Sequence, residues 1–361
     1  MSFPEQPPVL EHGGDWTGYE QVYGAAPLDF SANVSPLGLP EGVRKAVLSA
    51  LPDAGRYPDP LCRALRSAIA RVEGVDPAWC LCGSGAADLI YRVVLAKRPR
   101  RALLTAPTFS EYEAALGLAS CQVTCITLRR ENGFLLWPEC LEAITPGLDL
   151  VFLCEPNNPT GRTTPRPLLL EILARCREVD ALLVVDECFG SFLDCPADHT
   201  LCGALEEYRN LLLLKAFTKF YAMAGLRLGY CLCSDTALLQ AMRRAGPPWA
   251  VSSLAQAAGL AALNEGAYVE AVRTLIRRER PWLADALEGL GCEVIPGEAN
   301  YLLFSPPLPL LEPLRQRGIL VRSCANYRSL DGSWYRTAVR THRENQQLIA
   351  ALAEILRGNL G

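Results

Sequence analysis

At 361 residues the chain is long enough to bury a full core and exceeds the usual single-domain size, so one large and one smaller domain are expected. A hydrophobic share of 50% with 20% charged residues is globular, and a net charge of -4 argues against a surface for nucleic acid or another polyanion. Small-molecule partners are expected instead.

The 15 cysteines are scattered through apolar runs, with no CxxC pair and no Cys/His spacing suited to a metal. Reduced core thiols and no metal site are therefore expected. Cys80/Cys82 and Cys231/Cys233 sit one residue apart, which on a strand puts each pair on one face. Met1 to Gly14 carries no signal-like pattern, and no apolar run reaches membrane-spanning length. A cytoplasmic protein without membrane or nucleic-acid partners is the expectation.

The first forty residues are rich in Pro and Gly and hold two polar clusters, Glu11 to Asp15 and Asp29 to Asn33. Such a segment is expected to run over the surface as an arm across an active site, with His12 and Asn33 as its candidate binding side chains. An exposed loop histidine is the plainer alternative for His12. Helical spacing covers Pro40 to Leu51 and about Leu61 to Val72. Between them, Pro58 forces an extended segment that presents Tyr57. At Leu81 to Asp88 a Gly-Ser-Gly turn leads into a helix, so Gly83 and Gly85 would let a ligand approach free N–H groups at the helix N-terminus. Taken alone, such a turn is often only a turn.

Strands and helices then alternate, with strands predicted at 101–105, 121–128, 148–154, 181–185, 211–214 and 228–233. This predicts an α/β fold, a mostly parallel sheet with helices on both faces whose ligands bind beyond the carboxyl ends of the strands. Phe109, Asn158, Asp186, Lys219 and Arg227 fall at or just after strand ends and are expected to converge. A lysine desolvated beside a second cation has a lowered pKa and can form a Schiff base, while an arginine fork suits a phosphate. Lys219 and Arg227 together suit a pyridoxal-phosphate (PLP) site.

After Asp235 the pattern turns helical at 237–244, 254–264 and 267–290, the last interrupted by Pro281. Short strands at 293–295, 300–304, 319–322 and 335–339, with helices near 309–317 and 344–356, then form a smaller α+β domain. The expected division is an N-terminal arm over 1–40 that packs on the active site and small domain, a large domain over 41–255 and a small domain over 256–361. Arg322 and Arg336 fall in strands of the small domain, where a buried unpaired charge is costly. They are expected to face a cleft and an anion, with pairing to one of the 39 acidic residues as the alternative.

The PNNPTG run at Pro156 to Gly161, the Asp186-Glu187 pair and the segment from Thr218 to Tyr230 resemble the fold-type I PLP-dependent aminotransferases, over almost the whole chain. Within that family the resemblance runs to the histidinol-phosphate aminotransferase branch. The segments His12 to Asp15, Asp29 to Gly38, Pro248 to Val251, Ala299 to Leu303 and Val321 to Tyr327 are similar to the threonine-phosphate decarboxylases of cobalamin (vitamin B12) biosynthesis.

The resemblance implies that Lys219 holds PLP and shuttles protons, Asp186 pairs with the pyridinium nitrogen, Asn158 bonds the phenolic oxygen and Phe109 stacks on the ring. It implies also that Gly85, the Ala86 and Ala87 N–H groups, Thr218, Arg227 and Tyr57 form the cofactor-phosphate site, Tyr57 coming from the second subunit of a homodimer. His12, Asn33, Asn158, Arg322 and Arg336 would then bind the phosphate and carboxylate of L-threonine O-3-phosphate, neither arginine being assigned to either group.

Two positions depart from the transaminase pattern. Phe189 stands where those enzymes carry a tyrosine, as it does in the decarboxylases, and Ala216 replaces a hydroxyl residue, removing one phosphate contact. The implied reaction is loss of CO2 to give (R)-1-aminopropan-2-yl phosphate. Histidinol-phosphate transamination and serine-phosphate decarboxylation are the alternatives.

Overall fold

The computed structural model describes residues 12–358, so residues 1–11 of the expected arm, Glu11 among them, and residues 359–361 lie outside the described residues. The first element among the described residues is a helix that the Gly- and Pro-rich composition did not predict, α1 (Trp16–Tyr23). Asp15 caps it by accepting the Gly18 N–H at 3.0 Å, and Gly24 closes it in the left-handed region at φ 74°. After the two-residue β1 (Leu28–Asp29) come α2 (Glu41–Ala50) and α3 (Arg63–Glu73).

The large domain continues through β2 (Cys80–Gly83), α4 (Ala86–Lys97), β3 (Arg101–Ala106), α5 (Glu111–Leu118) and β4 (Gln122–Thr127). Then follow β5 (Leu150–Cys154), α6 (Arg166–Glu178), β6 (Leu182–Asp186), α7 (Pro196–His199), β7 (Leu211–Ala216) and α8 (Phe217–Phe220). β8 (Gly229–Leu232), α9 (Thr236–Ala245) and α10 (Ser253–Ala262) complete it, the two helices capped by Asp235 and Ser252.

Its seven strands lie in the order β2-β8-β7-β6-β5-β3-β4, and β8 alone runs against its neighbours. Alternation along each strand explains why the runs are apolar throughout. Leu211 and Leu213 face one core with Leu183, Val185 and α6, whereas Leu212 and Leu214 face the other with Leu182, Val184 and α4. The same rule separates Cys80 and Cys82 from Cys231 and Cys233, and all fifteen cysteines are free thiols.

The small domain contains α11 (Gly266–Gly289), β9 (Glu293–Ile295), β10 (Tyr301–Ser305), α12 (Leu311–Arg315), β11 (Ile319–Leu320), β12 (Arg322–Ser323), β13 (Tyr335–Ala338) and α13 (His342–Gly358). α11 is not interrupted by Pro281. The lost N–H costs one hydrogen bond, but Val272, Ile276, Leu283 and Leu287 are all buried in one core and hold the helix on both sides of it.

The segment predicted as one strand at 319–322 is split between two sheets. Ile319 and Leu320 pair in parallel with Leu28 and Asp29, whereas Arg322 and Ser323 pair antiparallel with Arg336 and Tyr335.

The arm departs from its expected course over a surface. Phe30, Ser31, Asn33 and Ser35 are buried. The Phe30 N–H donates to Leu320 O at 2.8 Å, the Ala338 N–H to Phe30 O at 2.8 Å, and the Ser35 N–H to Lys219 O at 2.9 Å. Those backbone bonds let a polar segment enter the interior between the small domain and the lysine loop.

Gly229 shows how tightly the turn before α4 is packed. A Cβ there would lie 2.6 Å from the Ala86 N and 2.7 Å from the Gly85 carbonyl carbon, both backbone atoms that cannot swing aside. Gly229→Ala is therefore expected to destabilise the protein by about 1–3 kcal/mol, as overpacking does, read as a lower urea midpoint.

Candidate active site

The carboxyl ends of the parallel strands, the start of α4 and two strands of the small domain enclose a cavity of about 450 Å³. Lys219, Asp186, Asn158, Phe109, Ala86, Ala87, Thr218 and Arg227 line it from the large domain. Arg322 and Arg336 reach it from the small domain, and His12 and Asn33 from the arm. Segments more than three hundred residues apart in the chain thus meet at one point.

Lys219 leaves β7 in the single turn of α8. Burial lowers its pKa to about 8, helped by Arg336 and Arg227 and opposed by Cys188 and Asp186. Asp186 ends β6, where one carboxylate oxygen accepts the Tyr112 hydroxyl at 2.7 Å and the other the Cys188 N–H at 3.0 Å. Burial pushes its pKa up, while hydrogen bonds from Cys188 and Tyr112 pull it back. Tyr112 is itself held by stacking on Phe152 at 4.8 Å and by an edge contact with Phe109 at 5.6 Å.

The opposite end offers donors that suit a phosphate. Gly85, at φ 84°, precedes α4 without a side-chain cap, so the first N–H groups of a twelve-residue helix are open to the cavity that Ala86 and Ala87 line. A Cβ on Gly85 would stand 2.9 Å from Arg227 Nη2, so glycine is what allows that guanidinium to lie against the turn. Arg227 itself adopts a φ of 58°.

Arg322 and Arg336 are directly opposite one another on β12 and β13 and are both buried, a juxtaposition that like charges disfavour. Arg336 donates to Asn158 Oδ1 and to the Ser31 backbone carbonyl, the latter at 2.9 Å, and among the described residues it has no ion pair. Arg322 donates to Asn326 Oδ1 at 2.6 Å and lies 5.4 Å from the centre of the Tyr327 ring, whose hydroxyl donates to Asn158 Oδ1 at 3.3 Å. Beside them, both amide atoms of Asn33 are buried with no partner among the described residues. An anionic ligand would meet the Arg336 charge and the unpartnered Asn33 amide.

Of the predicted site residues, Gly85, beside Ala86 and Arg227 Nη2, does not itself line the cavity, and neither does Tyr57. Tyr57 is 80% exposed and stacks on Trp249 at 4.5 Å. Conversely, Tyr112, Glu111, Tyr327, Cys154 and Cys188 belong to the site without having been singled out. Tyr327 closes the Val321 to Tyr327 segment, and Tyr112 follows Phe109 by about one helical turn, so both left a trace in the sequence. Glu111 and the two cysteines left none.

A buried lysine amine at depressed pKa, a buried carboxylate across from it, an aromatic face, and a helix terminus with an arginine fit PLP as a set of donors. Among the described residues no cluster of His, Cys, Asp or Glu could hold a metal ion, and no helix is long and apolar enough to cross a membrane.

Comparison with known proteins agrees with this geometry. The family model for aminotransferase class I and II matches residues 26–352. The chain is 41% identical over 354 residues to a threonine-phosphate decarboxylase of Salmonella typhimurium, covering 96% of this chain and 97% of that one. It is 31% identical over 366 residues to an adenosylcobalamin biosynthesis bifunctional protein of Leptospira interrogans, covering 96% of this chain and 41% of that one. The crystal structure of L-threonine-O-3-phosphate decarboxylase from Porphyromonas gingivalis superimposes with a TM-score of 0.80 at 26% identity, covering 91% of this chain and 99% of the other. The chain therefore belongs to the aminotransferase class I and II family, whose fold-type I members use PLP.

Proposed function

We propose that the protein decarboxylates L-threonine O-3-phosphate to (R)-1-aminopropan-2-yl phosphate and CO2, for assembly of the cobalamin nucleotide loop. The observation that carries this reading is the buried pair Arg322 and Arg336, which with Asn33 faces the same cavity as Lys219. Its two guanidiniums suit a substrate with both a phosphate and a carboxylate.

When bound, PLP supplies an electron sink for the pair released at the substrate Cα. Lys219 would carry the cofactor and would supply the proton that replaces CO2 at that carbon. Asp186, its charge stabilised by Tyr112 and Cys188, holds the protonated pyridine nitrogen, and Asn158 donates to the phenolic oxygen. Phe109 covers one ring face. Gly85, Ala86, Ala87, Thr218 and Arg227 take the cofactor phosphate.

Arg322 and Arg336 would select the reaction by where they hold the substrate carboxylate and phosphate. A change of about 1.4 kcal/mol in that preference is tenfold in rate, within reach of a single arginine contact. Phe189 supports the reading. It lines the cavity with a hydrocarbon ring, edge-on to Tyr301 at 5.0 Å, and offers no hydroxyl where transaminases have one.

We infer further that two chains associate and that Tyr57 completes the phosphate site of the neighbouring chain, since it is exposed and has no place in its own cavity. Fifteen free thiols suit the reducing cytoplasm.

A side-by-side assay with threonine phosphate, serine phosphate and histidinol phosphate is expected to release CO2 from the first, with aminopropanol phosphate as the product. A keto acid product with no aminopropanol phosphate would overturn the decarboxylase reading. Lys219→Ala is expected to abolish turnover.

Because the Lys219 pKa sits near 8, the reactive free amine is the minor form below that pH and the major form above it. The rate at which cofactor-stripped protein captures PLP should rise as pH climbs through about 8 and level off beyond it. Arg336→Met removes a cation that holds the value down, so the inflection should move to higher pH; stopped-flow absorbance reads both. Light scattering should report twice the chain mass, and Tyr57→Ala should weaken PLP retention by about tenfold, the scale of one charge-assisted phosphate contact.

A further inference from the structure

Helix α5 opens on two carboxylates that serve different partners. Glu113 pairs with Arg328 in a separate groove, whereas Glu111 lines the active-site cavity with its side chain 19% exposed. A carboxylate in a cavity built for anions repels its ligand unless it acts through a donor. One Glu111 oxygen meets His12 Nε2 at 2.7 Å and the other accepts the Tyr91 hydroxyl at 2.8 Å, so both are engaged.

His12 is fixed from its other side as well. A Cβ on Gly13 would lie 2.3 Å from Ser31 O, so only glycine lets the chain press against Ser31, and the Gly14 N–H donates to Ser31 Oγ at 2.8 Å. The same Ser31 carbonyl accepts Arg336. The histidine and the buried arginine are thereby tied to one backbone residue.

Resting on the reading that the substrate is threonine phosphate, we propose that Glu111 is a positioning residue for substrate phosphate, acting through His12. Glu111 holds the ring by Nε2, which leaves Nδ1 as the nitrogen presented to the ligand. With Nε2–H given to Glu111, the ring is held between that carboxylate and the phosphate, which Nδ1 meets. Tyr91 keeps the carboxylate from turning away. The device discriminates phosphorylated from unphosphorylated substrates and takes no part in the chemistry at Cα.

The test is steady-state kinetics on the PLP-loaded protein, with inorganic phosphate as a competing probe. Glu111→Ala is expected to raise KM for threonine phosphate and Ki for inorganic phosphate by about tenfold, the loss of one charge-assisted contact, while kcat stays within about threefold. Glu111→Gln, which keeps an acceptor for Nε2–H, should recover most of the loss. In a His12→Ala background Glu111→Ala should raise KM no further. A full additional tenfold loss there, or an unchanged Ki for phosphate in Glu111→Ala, would overturn the proposal. Failure of the parent protein to decarboxylate threonine phosphate would instead count against the functional reading, since inorganic phosphate binding still reports on Glu111 and His12.

Discussion

Burial of the Lys219 ammonium is the constraint on which the site depends. A lysine in water keeps its proton near neutral pH and is a poor nucleophile, and removing it from solvent between β7 and the small domain weakens that preference, bringing the pKa down to about 8. Arg336 and Arg227 push the same way, and the partial opposition of Asp186 and Cys188 keeps the amine near physiological pH. The surrounding architecture serves this balance. Parallel strands end together at one edge, helix α4 begins there, and the small domain closes over it with two further cations.

The N-terminal segment joins these parts. Its pairing at Leu28 and Asp29 fastens it to the small domain, its Ser35 N–H reaches the Lys219 carbonyl, and its Ser31 carbonyl receives Arg336. A shift of the small domain against the lysine loop must therefore displace the arm. In this way the arm, anchored by Phe30 in the small-domain core, links the cavity-facing Arg336 to the lysine loop through backbone hydrogen bonds.

The departures from the transaminase pattern fall at the cavity wall. Ala216 and Phe189 both line it, and each lacks a hydroxyl. Losing these donors leaves the lysine, the aspartate and the helix terminus in place, so the common apparatus is retained while the contacts around the ring change. Across the cavity, Asn158 of the large domain and Tyr327, Arg322 and Arg336 of the small domain form one hydrogen-bonded and stacked group.

Much of the fold was legible in the chain because strand and helix periodicity are local: the four leucines of β7, the glycines before α4 and the polar residues ending β5 and β6 each announce themselves within a few positions. The convergence of Phe109, Asn158, Asp186 and Lys219 followed from the rule that parallel strands end at one edge, whereas Arg227 reaches that edge because β8, which it precedes, runs antiparallel. Tertiary structure decided what depends on distant partners. The burial of the arm needed β11 and β13 to satisfy its backbone, α11 ran through Pro281 because buried side chains hold both halves, and α1 formed on a cap too short to read from composition. Glu111 gave no signal, since its meaning lies in His12, ninety-nine residues away, and such a pair exists only once the chain has folded.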